Sequence, residues 1–266
     1  MNFNPFIFFF ISAIFLVSCG NDTSENGHKK PLQDSLNTSA VTNGEIKIIE
    51  PVVDEDILVL KKDGITLTEI KIENNSVATL ELTNKQFSEG KNHLSFLTNG
   101  MEDYSLAYLA NNYSLSKFSS NVFEVEFLYG NNVFLAFLTD KNNISIKTNK
   151  GCVLKNAVLG AETESSFDMN QPHLFYYLPQ GETNEAILDF YLVNTSIAKD
   201  GNKVKVTINE VDFIVNKWAA YQIFGLKNFE NIVRIQLLDK NNKLIEGPFN
   251  DSGEREFKFM SKKSKG

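Results

Sequence analysis

Arginine, cysteine and tryptophan are scarce in this sequence. The 266 residues contain two Cys and one Trp, and the basic residues are lysines except for Arg234 and Arg255. The formal net charge is −7 and the pI is about 5.1, which argues against nucleic acid as a partner because such partners are bound through basic patches. Two cysteines also exclude a disulfide-stapled fold. Hydrophobic residues make up 42% of the chain, which is enough for ordinary globular cores.

A long apolar run is missing as well. Phe6–Val17 has 12 residues, whereas a membrane-spanning helix needs about 20. The run fits the core of a secretory signal peptide, and the Leu16–Cys19 segment after it resembles a bacterial lipobox. We therefore predict a lipoprotein signal peptide over 1–18 and acylation, including palmitate, at Cys19. An ordinary signal peptide with a chance cysteine is the alternative, and the first five residues lack Lys and Arg.

The residues after Cys19 are small and polar. Residues 19–44 lack apolar periodicity and predict a lipidated N-terminus followed by a disordered tether. Gly20, directly after the cysteine, favours the outer membrane, facing either the periplasm or the cell surface, by resemblance to a known sorting rule. With Cys19 acylated, Cys152 has no disulfide partner, and its strand-like surroundings predict a buried, inert thiol.

The rest of the chain alternates apolar and polar residues in short segments separated by Asn, Gly and Asp. This pattern predicts an all-β fold, with two tandem antiparallel immunoglobulin-like β-sandwiches at 45–160 and 168–260. Four blocks recur in the same order in both halves, among them ITLTEIKIEN opposite EAILDFYLVN and GKNHLSFLTNG opposite GNKVKVTINEV, which indicates an internal repeat. The last block is the clearest, because Asn132, Asp140 and Asn142 recur 99 positions later.

The second half, including PHLFYYLPQGE, ILDFYLVNT and NIVRIQLLDKNN, resembles an uncharacterised lipoprotein family of Bacteroidota-type bacteria. Some members carry a phosphopeptide-binding label. The resemblance implies immunoglobulin-like sandwiches and a lipid anchor. The family usually has a second histidine where this chain has Ser95. Phosphate recognition usually needs Arg forks, and two arginines, one of them between Glu254 and Glu256, support the label weakly.

Motifs for chemistry are missing. The sequence has no nucleophile elbow, HExxH or phosphate-binding Gly loop, so we predict that it is not an enzyme and uses no cofactor. Three histidines, His28, His93 and His173, do not suggest a metal site. The turns that begin at Asp140 and Asp239 could be partial Ca²⁺ loops, but plain hairpin turns are the favoured interpretation.

Two aromatic residues are candidates for binding. Trp218 and Tyr221 follow the strand-like VDFIV segment and could stack on a sugar or grip a peptide. Packing against the neighbouring domain is the alternative, and the favoured one for Trp218.

These patterns predict a lipid-anchored envelope protein that binds a protein or glycan partner without catalysis. One alternative is a structural spacer or assembly subunit of an envelope complex. Another is an accessory domain that holds carbohydrate for an enzyme.

Overall fold

The strands follow from side chains that alternate between two faces. In Ile65–Ile70, Ile65, Leu67 and Glu69 are buried on one face and the residues between them are partly exposed. The computed structural model describes residues 57–72, 77–160 and 167–261, which lie within one compact unit, Val53–Gly266. The predicted signal peptide, Cys19 and the tether fall outside the described residues. The described residues contain no helix with the length and apolar character needed to span a bilayer.

The structure has 17 strands in the described ranges. They are β1 (Val59–Lys62), β2 (Ile65–Ile70), β3 (Thr79–Leu82), β4 (Gly90–Asn99), β5 (Ser105–Ala110), β6 (Ser114–Phe118), β7 (Val122–Phe127), β8 (Gly130–Thr139), β9 (Cys152–Leu159), β10 (His173–Leu178), β11 (Gly181–Thr183), β12 (Ile187–Val193), β13 (Lys203–Ile208), β14 (Val211–Val215), β15 (Ala220–Phe224), β16 (Phe229–Leu238) and β17 (Arg255–Phe259).

The first sandwich pairs sheet β3-β4-β7 with sheet β6-β5-β8-β9, and all its ladders are antiparallel. Its core contains Leu94, Phe96, Phe127 and Phe134. The second sandwich pairs sheet β1-β2-β15-β12-β10 with sheet β11-β17-β16-β13-β14 around a larger core. These strand orders confirm the predicted immunoglobulin-like fold class.

The hairpin of β1 and β2 corrects the predicted domain boundary. Sequence order placed it in the first sandwich at 45–160, but β2 pairs with β15 over Thr66–Ile70 and Ala220–Phe224. Ile65 and Leu67 enter the core of the second sandwich. The assignment of this hairpin to the first sandwich is therefore wrong. A long-range strand pairing of this kind is invisible to local alternation.

The two sandwiches share a third apolar core. The outer face of β5 and β8 packs on the outer face of β10 and β12, and Phe137 contacts Tyr177 and Tyr191 with ring centroids 4.8 and 5.1 Å apart. The four strands of this interface are buried on both faces over most of their length. The described part of the chain is thus a stack of four sheets rather than two separate domains on a flexible link.

The repeat is visible in equivalent hydrogen bonds. Asn132 and Asn231 lie near the start of β8 and β16 and make the same three hydrogen bonds. The side-chain oxygen of each accepts from the backbone N–H of the residue four positions earlier. The side-chain NH₂ donates to the backbone carbonyls of the residues four and two positions earlier. Asp140 and Asp239 each accept from the N–H groups two and four residues later. Asn92 at the start of β4 makes the same three bonds as Asn132.

The predicted alignment of the upstream blocks is wrong. It matched β2 with β12, whereas the strand of the first sandwich that occupies the place of β12 is β4. In the same way, β13 and β14 correspond to β5 and β6. Each of these hairpins turns through two residues with positive φ, which are Asn111 and Asn112 in the first sandwich and Asn209 and Glu210 in the second. The inserted hairpin of β1 and β2 displaced the match by one strand.

Candidate functional site

The predicted binding aromatics lie in and beside the cores. Tyr221 is fully buried, and its hydroxyl donates to the carbonyl of Lys217 at 2.6 Å. Trp218 is half-buried, meets Tyr191 edge-to-face at 5.2 Å and donates from Nε1 to the Phe190 carbonyl at 3.3 Å. Tyr221 offers no surface to a ligand, and Trp218 packs where the cores of the second sandwich and of the interface meet.

A different aromatic residue lines an open cleft. The turn between β5 and β6 contains Asn111 and Asn112, both with positive φ, which short polar residues tolerate best. Tyr113 follows them with 72% of its surface exposed. Asn112 is buried, and its Oδ1 accepts the backbone N–H of Tyr176 on β10 at 2.9 Å. This hydrogen bond therefore attaches the β5–β6 turn of the first sandwich to β10 of the second.

Arg255 at the start of β17 holds the same turn. Its Nη2 donates to the Asn112 carbonyl at 3.2 Å, and its Nε donates to the Ser252 carbonyl at 2.9 Å. Its guanidinium lies 4.7 Å from the centre of the Tyr113 ring, within cation–π range. These contacts fix the position of the Tyr113 ring although most of its surface faces solvent.

The space around Tyr113 and Arg255 is a cleft of about 740 Å³, which we call the inter-sandwich cleft. Its walls come from the β5–β6 turn of the first sandwich and from three segments of the second. The lining residues are Asn112, Tyr113, Tyr176, Gln180, Gly181, Ile232, Ser252, Glu254, Arg255 and Glu256. An aromatic ring beside amide, hydroxyl and carboxylate groups is suited to a ligand that carries both an apolar face and many hydroxyl groups.

The cleft is not built to hold phosphate. Two carboxylates, Glu254 and Glu256, flank Arg255, and its Nε and Nη2 groups already donate to backbone carbonyls. Arg234, the other arginine, forms a bidentate pair with Asp251 through Nε at 2.8 Å and through Nη2. This pairing lowers the pKa of Asp251 and raises that of Arg234. Both arginines are thus already bonded within the protein, so this chain has no Arg fork that is available to bind a phosphopeptide.

A second cleft of about 270 Å³ also lies between the sandwiches. Lys117 of β6 and Asn142 of the Asp140 turn face Gln180, Glu182 and nearby residues of the second sandwich. Burial lowers the pKa of Lys117, and Asp189 acts in the opposite sense. Gln180 lines both clefts, so they lie on the two sides of the segment that leads from β10 to β11.

A buried polar cluster lies in the interface between the sandwiches. Lys147 pairs with Asp189, whose side chain is fully buried, and also donates to the Phe190 carbonyl at 2.8 Å. Ser145 donates to Asp189 from its N–H at 2.9 Å and from Oγ at 3.0 Å. Burial lowers the pKa of Lys147, and Asp189 opposes that shift. Breaking such a pair by removing one partner leaves a buried charge uncompensated.

Lys147 and Ser145 have the separation of a Ser–Lys catalytic pair, 2.5 Å between Nζ and Oγ. Ser145 is fully buried, and its hydroxyl proton points at Asp189. A substrate cannot reach this hydroxyl, so the cluster joins the sandwiches and offers no nucleophile.

The surroundings of Cys152, His93 and His173 give no sign of a reactive or metal-binding site. Cys152 is partly buried rather than fully buried as predicted, and desolvation of its thiol raises its pKa to about 11, which keeps it protonated at neutral pH. His173 is buried, stacks on Phe167 at 4.4 Å, and lies 2.8 Å from the Asp168 carbonyl through Nε2. His93 is exposed on β4, with Glu124 at 3.9 Å. Within the described ranges, no three His, Cys, Asp or Glu side chains come together as metal ligands.

Sequence patterns did not single out Asn112 and Tyr113. The one local signal is the pair of consecutive asparagines before an aromatic, which predicts a turn but not what the turn contacts. In the sequence, Arg255 is distinguished only by its two glutamate neighbours, Glu254 and Glu256. Arg255 and Asn112 are 143 positions apart in the sequence, so no local pattern can show that they are in contact.

Comparisons with known proteins do not identify a family. No family model and no curated protein matches the chain. Among solved structures, similar chains include the fibronectin(III)-like modules of Clostridium thermocellum CbhA, at 7% identity, with a TM-score of 0.25 over 69% of this chain and 94% of that one. Another is the pair of tandem V-type regions of VCBP3, a v-region-containing chitin binding protein, at 9% identity, with a TM-score of 0.22 over 69% and 99% of the two chains.

A third similar structure is SGBP-B of the Bacteroides ovatus mixed-linkage glucan utilization locus, solved with a mixed-linkage heptasaccharide. Its identity is 7% and its TM-score 0.22, over 75% of this chain and 71% of that one. Likenesses with such low identities and TM-scores say nothing about a ligand of this chain.

Proposed function

We propose that the protein is a lipid-anchored, non-catalytic binding module of the cell envelope, and that its inter-sandwich cleft holds a glycan chain. The observation that carries this proposal is the exposed Tyr113 ring, fixed by Arg255 in a large polar cleft. Sugar rings stack on aromatic faces through their C–H groups, while their hydroxyls bond amides and carboxylates such as Gln180, Glu254 and Glu256.

The charge of the cleft favours a neutral sugar over an acidic one. Glu254 and Glu256 bring two negative charges against the one positive charge of Arg255. An anionic polymer would meet repulsion at these carboxylates, and a hydroxyl-rich neutral polymer would find acceptors there.

The anchor belongs to the same proposal. Acylation of Cys19 would tether the folded unit to the membrane, with Gly20 favouring the outer membrane. Two or three acyl chains make a stable anchor, at about 0.8 kcal/mol for each buried CH₂. In cells, Cys19→Ser is expected to abolish incorporation of a fatty-acid analogue and to release the protein from membranes. Labelling that persists in this variant would refute the anchor.

The cleft is tested by affinity electrophoresis in gels that contain soluble neutral polysaccharides, namely a glucan, a mannan and a xylan. The protein is expected to be retarded by at least one of them, and Tyr113→Ala is expected to migrate freely. Tyr129→Ala is the matched control, because Tyr129 is also a turn tyrosine with 63% of its surface exposed and it does not line the cleft. Equal retardation of the two variants would contradict the proposed site.

The second candidate function is a structural spacer or assembly subunit. The observation that favours it is the continuous interface core with its buried Lys147–Asp189 pair, which holds both sandwiches in one stack. A spacer is expected to copurify with a fixed envelope partner after crosslinking in native membranes, and to show no retardation in any of the polysaccharide gels.

A further inference from the structure

The inter-sandwich cleft and the second cleft lie along the same two strands. On the first sandwich, Tyr113 lines the inter-sandwich cleft, and Lys117 of β6, four positions later, lines the second cleft. On the second sandwich, Gly181 at the start of β11 lines the inter-sandwich cleft, and Thr183 at its end lines the second. Gln180 lines both. Each strand thus leads from one cleft into the other, and we call the second cleft the β6–β11 groove.

Both strands beside this groove are edge strands. Within the described part of the chain, β6 pairs only with β5, and β11 pairs only with β17. An edge strand has one side on which its backbone N–H and C=O groups take no part in a ladder. A sugar hydroxyl both donates and accepts hydrogen bonds, so it can use donors and acceptors that alternate along such an edge.

The side chains of the groove also suit a chain of sugars. Asn142, Asn143 and Gln180 provide amide groups, and Leu178 and Ile187 are partly exposed apolar side chains. Amides bond hydroxyls as donors and as acceptors, and apolar side chains accept the C–H faces of sugar rings. Among the described residues that line the groove there is no aromatic ring. The stacking platform therefore stays in the inter-sandwich cleft, and the groove adds hydrogen bonds to it.

The charges around the groove favour a neutral chain. Its lining includes one positive side chain, Lys117, and two negative ones, Glu182 and Glu185. Glu182 also pairs with Lys258 at 3.5 Å. An acidic polymer would meet the two carboxylates here, as it would in the inter-sandwich cleft. A lysine on an edge strand opposes the addition of a further strand, so Lys117 also argues against an extended peptide as the occupant.

We propose that the β6–β11 groove is a second subsite for the same glycan chain, so that full affinity requires a neutral oligomer that reaches from Tyr113 to Lys117. This inference rests on the proposed glycan-binding function of the inter-sandwich cleft. A strand rises about 3.3 Å per residue, so four positions along β6 correspond to about 13 Å. One sugar ring covers only part of that distance, so a ligand that contacts both side chains has several units.

The dependence on chain length is measured by isothermal titration calorimetry of the purified protein. The probes are oligomers of the glucan, the mannan and the xylan, from the dimer to the octamer. For the sugar that retards the protein in gels, the octamer is expected to bind about tenfold more tightly than the trimer, the gain from one or two hydrogen bonds in the groove. Equal affinities for trimer and octamer would overturn the second subsite.

The groove is tested separately by the double change Lys117→Met with Asn142→Ala. It is expected to lower the affinity for the octamer about tenfold, to that of the trimer, and to leave the affinity for the trimer unchanged. The matched control is Lys199→Met with Asn241→Ala. Both control residues are exposed and line neither cleft, and Asn241 holds the place of Asn142 in the sister turn. Equal effects of the two double changes would refute the subsite.

Chemical labelling tests the groove without any substitution. Acetylation of Lys117, followed by peptide mass spectrometry, is expected to slow several-fold with the octamer and not with the trimer, whereas Lys199 should react equally in both. Lys117 that reacts at the same rate with either oligomer would overturn the proposal.

Tyr113→Ala separates the two proposals, because it should abolish binding of trimer and octamer alike. If it does so while the unchanged protein binds both oligomers equally, the glycan cleft stands and the second subsite is wrong. If the unchanged protein binds no oligomer and no polysaccharide, both proposals are wrong.

Discussion

Asp189→Asn is expected to destabilise the protein strongly, because it leaves Lys147 buried without its counter-charge. The Asp189 side chain is fully buried, and 11% of the Lys147 side chain is exposed. Removing one partner of such a pair costs about 3–5 kcal/mol. For a folded unit of this size, that corresponds to a fall in the thermal midpoint of about 6–20 °C. Thermal unfolding followed by circular dichroism measures it directly.

An exposed ion pair provides the control. Lys205 and Asp212 lie 2.9 Å apart, with 31% and 46% of their side chains exposed. Pairs of this kind contribute about 0–1 kcal/mol, so Asp212→Asn is expected to shift the midpoint by a few degrees at most, about 4 °C. Equal shifts for Asp189→Asn and Asp212→Asn would refute the reasoning. The double change Lys147→Met with Asp189→Leu should recover most of the loss, since it removes both charges together.

Three further predictions concern single side chains. Cys152, with its pKa raised to about 11, should react with a disulfide reagent at pH 8 far more slowly in the folded than in the unfolded chain, and equal rates would contradict the desolvation of its thiol. Burial lowers the folded-state pKa of His173, so the unfolded state takes up more protons and stability should fall as pH drops through about 6.5; His173→Gln should flatten this dependence in urea titrations at pH 7 and 5. Arg255→Ala should cost about 1–2 kcal/mol and raise amide exchange at Tyr113, whereas unchanged exchange would show that Arg255 does not hold the turn.

Much of the fold can be predicted from local pattern. Alternation of apolar and polar residues identifies the strands. The spacing of Asn132 and Asp140 recurs in Asn231 and Asp239 and predicts two related units, because the equivalent residues make the same hydrogen bonds in their turns. Both features depend on contacts within about four residues of the chain.

What could not be predicted depends on contacts between distant segments. The hairpin of β1 and β2 has the alternation of any strand pair, so nothing local shows that it joins β15, about 155 residues later. Trp218 and Tyr221 are candidates in the sequence because aromatic residues often bind ligands, but Tyr221 is buried in a core and Trp218 packs against two of them. Local sequence does not identify Tyr113, because its role as a fixed surface ring depends on Arg255, which only the packing of the two sandwiches brings next to it.

The central claim is that a glycan binds where the two sandwiches meet at Tyr113 and Arg255. Amide hydrogen exchange, with and without the polysaccharide that retards the protein most, tests this claim most directly. The claim predicts that the β5–β6 turn around Tyr113 and the 252–256 segment become protected together, while the turn between β15 and β16 is unchanged. Protection confined to one sandwich, or located away from the cleft, would contradict it.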